Sequence, residues 1–357
     1  MDYKSRCIMN TPIIIGAGVA GLATANYFVD NNVHPIIIEA DEIGRNKICG
    51  EFYSPEVTPI LHNWNIPLIM IQKTNFIIPQ YNYSYMLPSS AGSIARSKCE
   101  LLLANRAQKL GAKIFTKTSV TEIINAKNET SEHIIKLSTG EIFKTHKLII
   151  ASGKLPFLTQ QKKLTPRYVG IKAHFTNITI PNELYMCMIN GAYMGITYVD
   201  DSTVNICCLA KKNLVDKFKN IDEFMLNFFN SNKVLKNIFK NAKMNYPWIT
   251  GFVPNFGKKT IPNWPNTYFI GDAAATIFPA SGNGLAMGIT SGIMAAKYII
   301  NNKNNFKKNW YIRYNKRLYF AKILNSLFLR PKIAKIGFRL ATYFPILSKT
   351  FYRFTRD

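Results

Sequence analysis

The chain has 357 residues and a formal charge of +25, set by 45 Lys and Arg against 20 Asp and Glu. Because 47% of residues are hydrophobic and only 18% charged, the basicity comes from missing carboxylates, which excludes a disordered basic tail protein. Five His and six scattered Cys leave little material for a structural zinc protein, so no metal site is expected. The length exceeds one ordinary core and predicts one large or two intertwined domains. The charge predicts an anionic partner: nucleic acid, a membrane surface or an anionic cofactor.

The elements follow in chain order. The β-branched run Pro12 to Ile15 predicts a buried parallel strand, Ala20 to Val29 a helix of small residues, and Pro35 to Glu39 the next strand. Together they form a βαβ unit of roughly thirty residues. Residues 51–90, rich in Pro, Asn and aromatics, read as an irregular substrate-facing excursion. A helix is expected over Ser93 to Leu110, strands over Ala112 to Thr118 and Val120 to Asn125, and a buried strand over Leu148 to Ala151. Alternation from Tyr168 to Leu209 predicts several antiparallel strands. One helix is expected over Ile221 to Ala242, a last buried strand over Tyr268 to Gly271, and a helix over Gly284 to Ile300. The tail from Phe306 to Phe354 reads as basic, aromatic-rich helices broken at Pro331 and Pro345.

Between the first strand and helix stands Gly16-Ala17-Gly18-Val19-Ala20-Gly21. The first glycine allows a tight turn, the second lets backbone approach a pyrophosphate, and the third permits close helix–strand packing. The helix N-terminus supplies unpaired N–H groups to the anion. Glu39 ends the second strand, placed to accept hydrogen bonds from an adenosine ribose. These features in register predict dinucleotide binding.

A second cofactor motif comes some 230 residues later, in Gly271-Asp272-Ala273 and Phe278-Pro279-Ala280-Ser281-Gly282-Asn283-Gly284. A carboxylate at a strand end can bond a polyhydroxyl chain. The glycine-rich turn after it opens a helix whose N-terminus can stabilise a reduced isoalloxazine. NAD has no ribityl chain that needs such an anchor, so the pair of motifs predicts FAD.

The set of GAGVAGLATA, Glu39, Lys47-Ile48-Cys49-Gly50-Glu51, Arg96 and GDAAATIFPASGNG resembles the FAD-dependent oxidoreductases of the p-hydroxybenzoate hydroxylase and geranylgeranyl reductase superfamily, over nearly the whole chain. Within it, Cys49 to Glu56 and the Gly191 to Leu209 strands resemble a bacterial subgroup of monooxygenases and reductases. The resemblance implies that Gly16, Ala17, Gly18, Gly21 and Glu39 hold the ADP half of FAD. It also implies that Gly271 and Asp272 meet the ribityl and pyrophosphate region, and that Pro279, Gly282, Gly284 and Leu285 lie along the flavin. Arg45 and Arg96 match positions that contact the cofactor.

The implied architecture is α/β: a glutathione-reductase-like FAD-binding Rossmann fold, an antiparallel β-sheet substrate domain and a helical C-terminal cap. The expected boundaries are 1–165 for the FAD-binding domain with its 51–90 excursion, 166–262 for the substrate domain, 263–302 for the return to the FAD-binding domain, and 303–357 for the basic cap.

The chain also departs from the family pattern. The Asp-Gly of aromatic hydroxylases is replaced by Ala151-Ser152-Gly153-Lys154, which argues against hydroxylase-style NADPH handling. Lys154 reads equally as a phosphate partner or a solvated lysine. No second G-x-G-x-x-G exists for a resident nicotinamide, leaving NAD(P)H as a transient donor. The Trp-x-Trp-x-x-Pro signature of flavin halogenases is absent. So is the aromatic-Trp-Phe-Pro strand of archaeal geranylgeranyl reductases, where Tyr193-Met194-Gly195-Ile196 stands instead.

Flavin performs the redox step, so side chains position, exclude water and tune. Cys49 is one catalytic candidate, because related reductases place a Cys in a similar turn; a buried apolar Cys is the alternative. Glu51 and Tyr53 are candidates for proton transfer. His174 reads as a structural or pocket-lining residue ahead of a base. The expected reaction is oxidation or reduction of a small lipophilic metabolite (an isoprenoid, quinone precursor or polyketide phenol) by a monooxygenase or alkene reductase. The competing class is a non-catalytic flavin-binding or membrane-associated protein.

From Lys303 to Asp357 there are 14 Lys and Arg and one carboxylate, about half of the excess charge. Cations interleaved with aromatics fit an anionic membrane surface first, a solvent-facing cap second and RNA, through an FAD-dependent RNA-modifying enzyme, a distant third. The six Cys lack CxxC spacing, which fits a reducing cytosol. Lys4, Arg6 and the apolar stretch from Ile13 imitate a signal peptide, but the glycines interrupt it. No run of about 18 apolar residues could span a bilayer. A cytoplasmic protein, peripheral to the inner face of the membrane, is expected.

Overall fold

The computed structural model describes residues 5–7, 11–153, 167–253 and 256–356; Lys154 lies outside them. Five short strands form a parallel sheet in the order Thr267–Phe269, Leu148–Ile150, Ile13–Ile15, Ile36–Ile38, Lys113–Phe115. The two Ile-Ile-Ile runs sit at its centre, fully buried, as β-branched residues on a sheet covered on both faces should be. The helix Val19–Val29 follows the first strand, and nine of its eleven residues are buried. It packs against the helices Arg96–Lys109 and Gly284–Ile300. Asn26, fully buried inside it, donates at 2.9 Å to the carbonyls of Leu22 and Leu103, so its amide is satisfied without solvent.

A four-stranded sheet, in the order Ser5–Cys7, Ile142–Thr145, His133–Leu137, Val120–Ile124, shares the same core through Ile135, Leu137 and Phe143.

The third sheet has nine strands and carries the second core. Its sequential strands Tyr168–Thr176, Leu184–Ile189, Ala192–Tyr198 and Val204–Lys211 bear out the predicted antiparallel region. Residues 51–90, expected to be irregular, are a correction. They contain the strand Phe52–Tyr53, the helix Thr58–Asn63 and most of a long hairpin, Ile69–Ile78 with Tyr81–Ser93. Leu184–Ile189 runs parallel to Ile69–Ile78, with Leu184 opposite Thr74, so the hairpin and the later strands make one sheet. Pro88 is tolerated because the register shifts between Ile71 and Lys73, leaving residues 87–90 outside the regular ladder.

Ile221 to Ala242, expected as one helix, is two: Ile221–Asn230 and Lys233–Ile238. The Asn232 side chain accepts from the Val234 N–H and starts the second. Pro331 and Pro345 each occupy the first position of a helix, Pro331–Tyr343 and Pro345–Phe354, where a missing N–H costs nothing. The preceding helix, Phe306–Phe328, buries Phe306, Trp310, Tyr314, Leu318 and Ala321 in the main core, so this part of the tail belongs to the body. Among the described residues no helix is long and apolar enough to cross a membrane.

Candidate functional site

The first strand ends at Gly16, whose φ of +106° only glycine adopts without strain. A Cβ there would lie 2.5 Å from the Ala151 carbonyl oxygen, so the turn presses against the neighbouring strand end. Gly18 caps the helix Val19–Val29 with extended backbone, and no side chain satisfies the helix N-terminus from that position. The first-turn N–H groups are thus left for an anion. Above Gly18 stands Arg96: a Cβ on Gly18 would come 3.5 Å from Arg96 Nη2. Backbone donors and a guanidinium therefore face one another across the Gly18 turn.

Glu39 lies at the end of the second strand, half-buried. Its Oε2 accepts from the Ala17 N–H at 2.6 Å and its Oε1 from the Asp41 N–H at 3.1 Å. Two backbone bonds fix the carboxylate at the mouth of the turn and leave acceptor capacity for ribose hydroxyls. Arg45 is exposed and pairs with Asp41 at 2.5 Å, on the rim beside Glu39.

Arg96 is held from behind. Its Nε donates to Glu100 Oε1 at 2.7 Å, while Lys47 Nζ donates to Glu100 Oε2 at 3.1 Å. Glu100 is fully buried beneath both cations. Burial alone would lower the Arg96 pKa, but Glu100 outweighs it and holds the guanidinium protonated.

The segment Lys47 to Tyr53 threads between the two cofactor motifs. Glu51 sits in left-handed backbone (φ +54°) with its side chain wholly buried. Its Oε1 accepts from the Arg96 N–H at 2.8 Å and from Lys172 Nζ at 2.5 Å, and its Oε2 pairs with His174 Nε2 at 2.7 Å. The Arg96–Lys109 helix has no side-chain cap of its own, so Glu51 caps it from a distant segment. Burial would raise the Glu51 pKa, yet His174 and Lys172 outweigh it and hold the carboxyl below its ordinary value. Tyr246 packs on His174 with the rings tilted by 55° and 5.4 Å between centres, and among the described residues no acceptor meets its buried hydroxyl. Tyr53 is fully buried beside Cys99.

Cys49 Sγ accepts weakly from the Glu51 N–H at 3.4 Å, and Asn205 Nδ2 holds the Cys49 carbonyl at 3.2 Å. Burial pushes the thiol pKa up. A raised pKa favours the neutral thiol over the thiolate.

In the second motif, Gly271 to Ala273 form one 3₁₀ turn after the last parallel strand. The Gly271 N–H is anchored to Ser291 Oγ at 2.9 Å. The half-buried Asp272 carboxylate has no hydrogen-bond or ion-pair partner among the described residues, so it is free to receive hydroxyls. Gly282 ends a second 3₁₀ turn at Pro279–Ser281 in left-handed backbone, and a Cβ there would reach within 3.0 Å of the Phe52 ring. Pro279 and Gly284 are exposed and Leu285 half-buried, along the open start of the helix Gly284–Ile300.

The predicted residues thus gather on one surface. Gly271 packs on Ala20 of the first motif, while Glu51 accepts from Arg96 and the neighbouring Phe52 lies against Gly282 of the second. These features fit FAD: an anion cradle at a helix start, a carboxylate near the ribose position, an unpartnered carboxylate for the ribityl chain and a second open helix N-terminus. Sequence reasoning missed Lys172, Glu100 and Asn205 as site residues. Alternation in Ile171-Lys172-Ala173-His174-Phe175 did place Lys172 and His174 on one face of a strand, and that signal could have found the pair.

No family model matches the chain. Over 91% of its length it is 22% identical to the digeranylgeranylglycerophospholipid reductase of Methanococcus vannielii, covering 87% of that protein. An uncharacterized protein of Methanocaldococcus jannaschii is 33% identical over 121 residues, which is 32% of this chain and 29% of that protein. Among solved structures, the flavin-dependent brominase Bmp2 superposes with a TM-score of 0.83 at 18% identity, over 97% of this chain and 93% of that one. A geranylgeranyl bacteriochlorophyll reductase-like protein from Thermoplasma acidophilum gives 0.68 at 17% identity, over 98% and 100%. The fold is therefore that of the FAD-dependent oxidoreductases, with a Rossmann-type cofactor domain, as the sequence motifs predicted.

Proposed function

We propose that this protein is an FAD-dependent reductase of a carbon–carbon double bond in a lipophilic metabolite of isoprenoid character, supplied with electrons by transient NAD(P)H or another external donor. The observation that supports the reading is the course of the Cys49–Phe52 segment, which meets Arg96 through Glu51 and Gly282 through Phe52 and so would bring a neutral thiol and a buried ion cluster near bound flavin. Bound FAD would supply the hydride; the protein's part is to hold FAD, exclude water and deliver one proton. Cys49 Sγ, kept neutral by burial, is the donor that the geometry favours for that proton. Glu51, locked by Lys172 and His174, fixes the turn that presents it.

The chain lacks the halogenase Trp-x-Trp-x-x-Pro signature and the hydroxylase Asp-Gly, but also the aromatic-Trp-Phe-Pro strand of archaeal reductases, so reduction is chosen on the Lys47-Ile48-Cys49-Gly50 turn that resembles the reductases. The likeness to the Methanococcus vannielii reductase over nearly the whole chain supports the same choice.

A lipophilic substrate also suits a protein that touches a membrane. In the helix Pro331–Tyr343, residues Ile333, Ile336, Leu340 and Tyr343 recur at helical spacing, and all four are exposed, Ile336 by 61% and Tyr343 by 79%. Phe344 and Ile346 extend the stripe, and Lys332, Lys335 and Arg339 lie beside it. Apolar residues edged by cations, in a tail almost without carboxylates, support contact with an anionic bilayer at the cytoplasmic face.

The test is anaerobic turnover of the FAD-reconstituted protein with a geranylgeranyl lipid and a chemical reductant. A product heavier by two hydrogen atoms per double bond is expected. A strict need for oxygen, with oxygen incorporated into the product, would replace the reductase by a monooxygenase.

A further inference from the structure

Three guanidinium groups converge on an open cleft of about 460 Å³ at the junction of the Tyr81–Ser93 strand, the Phe306–Phe328 helix and the end of the Pro345–Phe354 helix. They belong to Arg313, Arg317 and Arg356; Pro55, Glu56, Ser89 and Tyr352 complete the wall. Among the described residues that line it, Glu56 is the one carboxylate. Arg317 engages it with both terminal nitrogens, at 2.7 and 2.8 Å. One pair is thus neutralised, and among the described lining residues Arg313 and Arg356 carry the remaining positive charge. Arg313 is exposed at the cleft edge and makes no ion pair among the described residues.

Arg317 is only 2% exposed, held beneath the cleft surface. Among the described residues the Nε groups of Arg317 and Arg356 are buried without acceptors and out of reach of a molecule in the cleft, which would meet the outer face of the guanidiniums. The guanidiniums are also fixed in place. Arg317 donates to the Arg356 carbonyl, Arg356 lies 3.8 Å over the Tyr352 ring, and Asn283 donates to the Thr355 carbonyl. Burial draws the Arg356 pKa below its usual value, a penalty that a bound anion would relieve.

We propose that this cleft is a phosphoryl-binding site, in which Arg313, Arg317 and Arg356 receive a phosphate mono- or diester. Planar guanidinium forks match phosphate oxygens, and two or more of them around one anion discriminate phosphate from a single carboxylate. The site is separate from the FAD pyrophosphate cradle, since neither Gly18 nor Arg96 lines it. Its link to the flavin side is Asn283, one residue before the Gly284–Ile300 helix, so a phosphoryl group held here would anchor a molecule whose other end extends toward that turn. The proposal stands whatever reaction the flavin performs.

Calorimetric titration of the FAD-bound protein tests it, using inorganic phosphate, a short-chain phosphatidic acid and the matching diacylglycerol. Phosphate and phosphatidic acid are both expected to bind if the phosphoryl group alone suffices; phosphatidic acid alone binds if the site serves a lipid headgroup. In either case Arg313→Gln and Arg356→Gln should each weaken binding about tenfold, as loss of one charge-assisted contact does. FAD retention and melting temperature should stay unchanged in Arg313→Gln, whose side chain is exposed. If Arg356→Gln fails to fold, Arg313→Gln decides alone. Equal affinity of wild type and Arg313→Gln, diacylglycerol binding as tight as phosphatidic acid, or no binding of either phosphoryl compound would overturn the proposal.

Discussion

The Arg96 backbone N–H and the Glu51 carboxylate are joined by a 2.8 Å hydrogen bond, which seats a fully buried anion on the first turn of a helix that has no cap of its own. The same carboxylate neutralises Lys172, whose side chain is equally buried. Glu51→Gln would leave that ammonium without its counter-charge. A loss of about 3–5 kcal/mol is expected in urea unfolding, the usual cost of breaking a buried pair from one side. A loss under 1 kcal/mol would mean that the ion cluster contributes little to the fold.

The cluster also sets an acid limit. Glu51 titrates below its ordinary value of 4.5 in the folded state, because His174 and Lys172 outweigh its burial. A depressed carboxyl stabilises the fold fully above the unfolded value, and that contribution fades as pH falls through the folded one. Wild-type stability should therefore decline below about pH 4.5 more steeply than that of Glu51→Gln. Identical slopes in the two proteins would assign the acid limb to other carboxylates.

Two glycines of the phosphate turn should separate fold from cofactor. Gly16→Ala forces a side chain into φ +106° and against the Ala151 carbonyl, so the apoprotein should lose more than about 1 kcal/mol. Gly18→Ala meets only Arg96 Nη2 at 3.5 Å, an ordinary contact, and the apoprotein should keep its stability within about 0.5 kcal/mol. The new methyl group would occupy the approach of the pyrophosphate, so fluorescence titration should show FAD affinity collapsing. If Gly18→Ala binds FAD as the wild type does, the pyrophosphate does not pass over this turn.

Asp272 offers the complementary test from the other end. Its carboxylate is half-buried and without a partner, so Asp272→Asn should leave the melting temperature of the apoprotein unchanged. FAD should bind roughly 10- to 100-fold more weakly, the range expected for one charge-assisted hydrogen bond. A shift in apoprotein stability without a change in FAD affinity would make Asp272 a structural residue.

For Cys49, the raised thiol pKa predicts slow alkylation by iodoacetamide at pH 8 relative to an exposed cysteine. Cys49→Ala should keep FAD and KM while kcat falls about 100-fold, as removal of a positioned proton donor does. Unchanged kcat would reduce Cys49 to packing.

Membrane contact is best tested without truncation, because Trp310 and Tyr314 of the tail are buried in the main core and deletion of residues 303–357 would damage the body. Ile336→Asp with Leu340→Asp changes only exposed positions. The double variant should melt like the wild type yet lose flotation with phosphatidylglycerol vesicles. Equal recovery of both proteins would remove the stripe from any role at lipid.

The cofactor cradle was legible in the sequence because each part is local: three glycines in six residues, an acid at a strand end, a second glycine-rich turn. Arg96 was found by motif, and the structure gives it a physical setting over Gly18. Glu100 and Lys172 were not found, since an acid inside a helix and a lysine inside a strand look like solvated charges until Arg96, Lys47 and Glu51 arrive from elsewhere. The hairpin Ile69–Ile78 with Tyr81–Ser93 was missed for a related reason. Pro88 and the surrounding polar residues signal a loop locally, whereas the hairpin's other strand, Ile69–Ile78, is fixed in the sheet by Leu184–Ile189, more than a hundred positions later.

That parallel seam, Leu184 to Cys187 beside Thr74 to Ile77, orders events in time. During synthesis the hairpin emerges long before its mate and must wait with one long edge unsatisfied, while closing so wide a loop is slow. Until the later strands dock, Ile69–Ile78 is an open template for strand addition by other chains. Yield and aggregation during expression should therefore respond to this edge more than to any residue that touches the flavin.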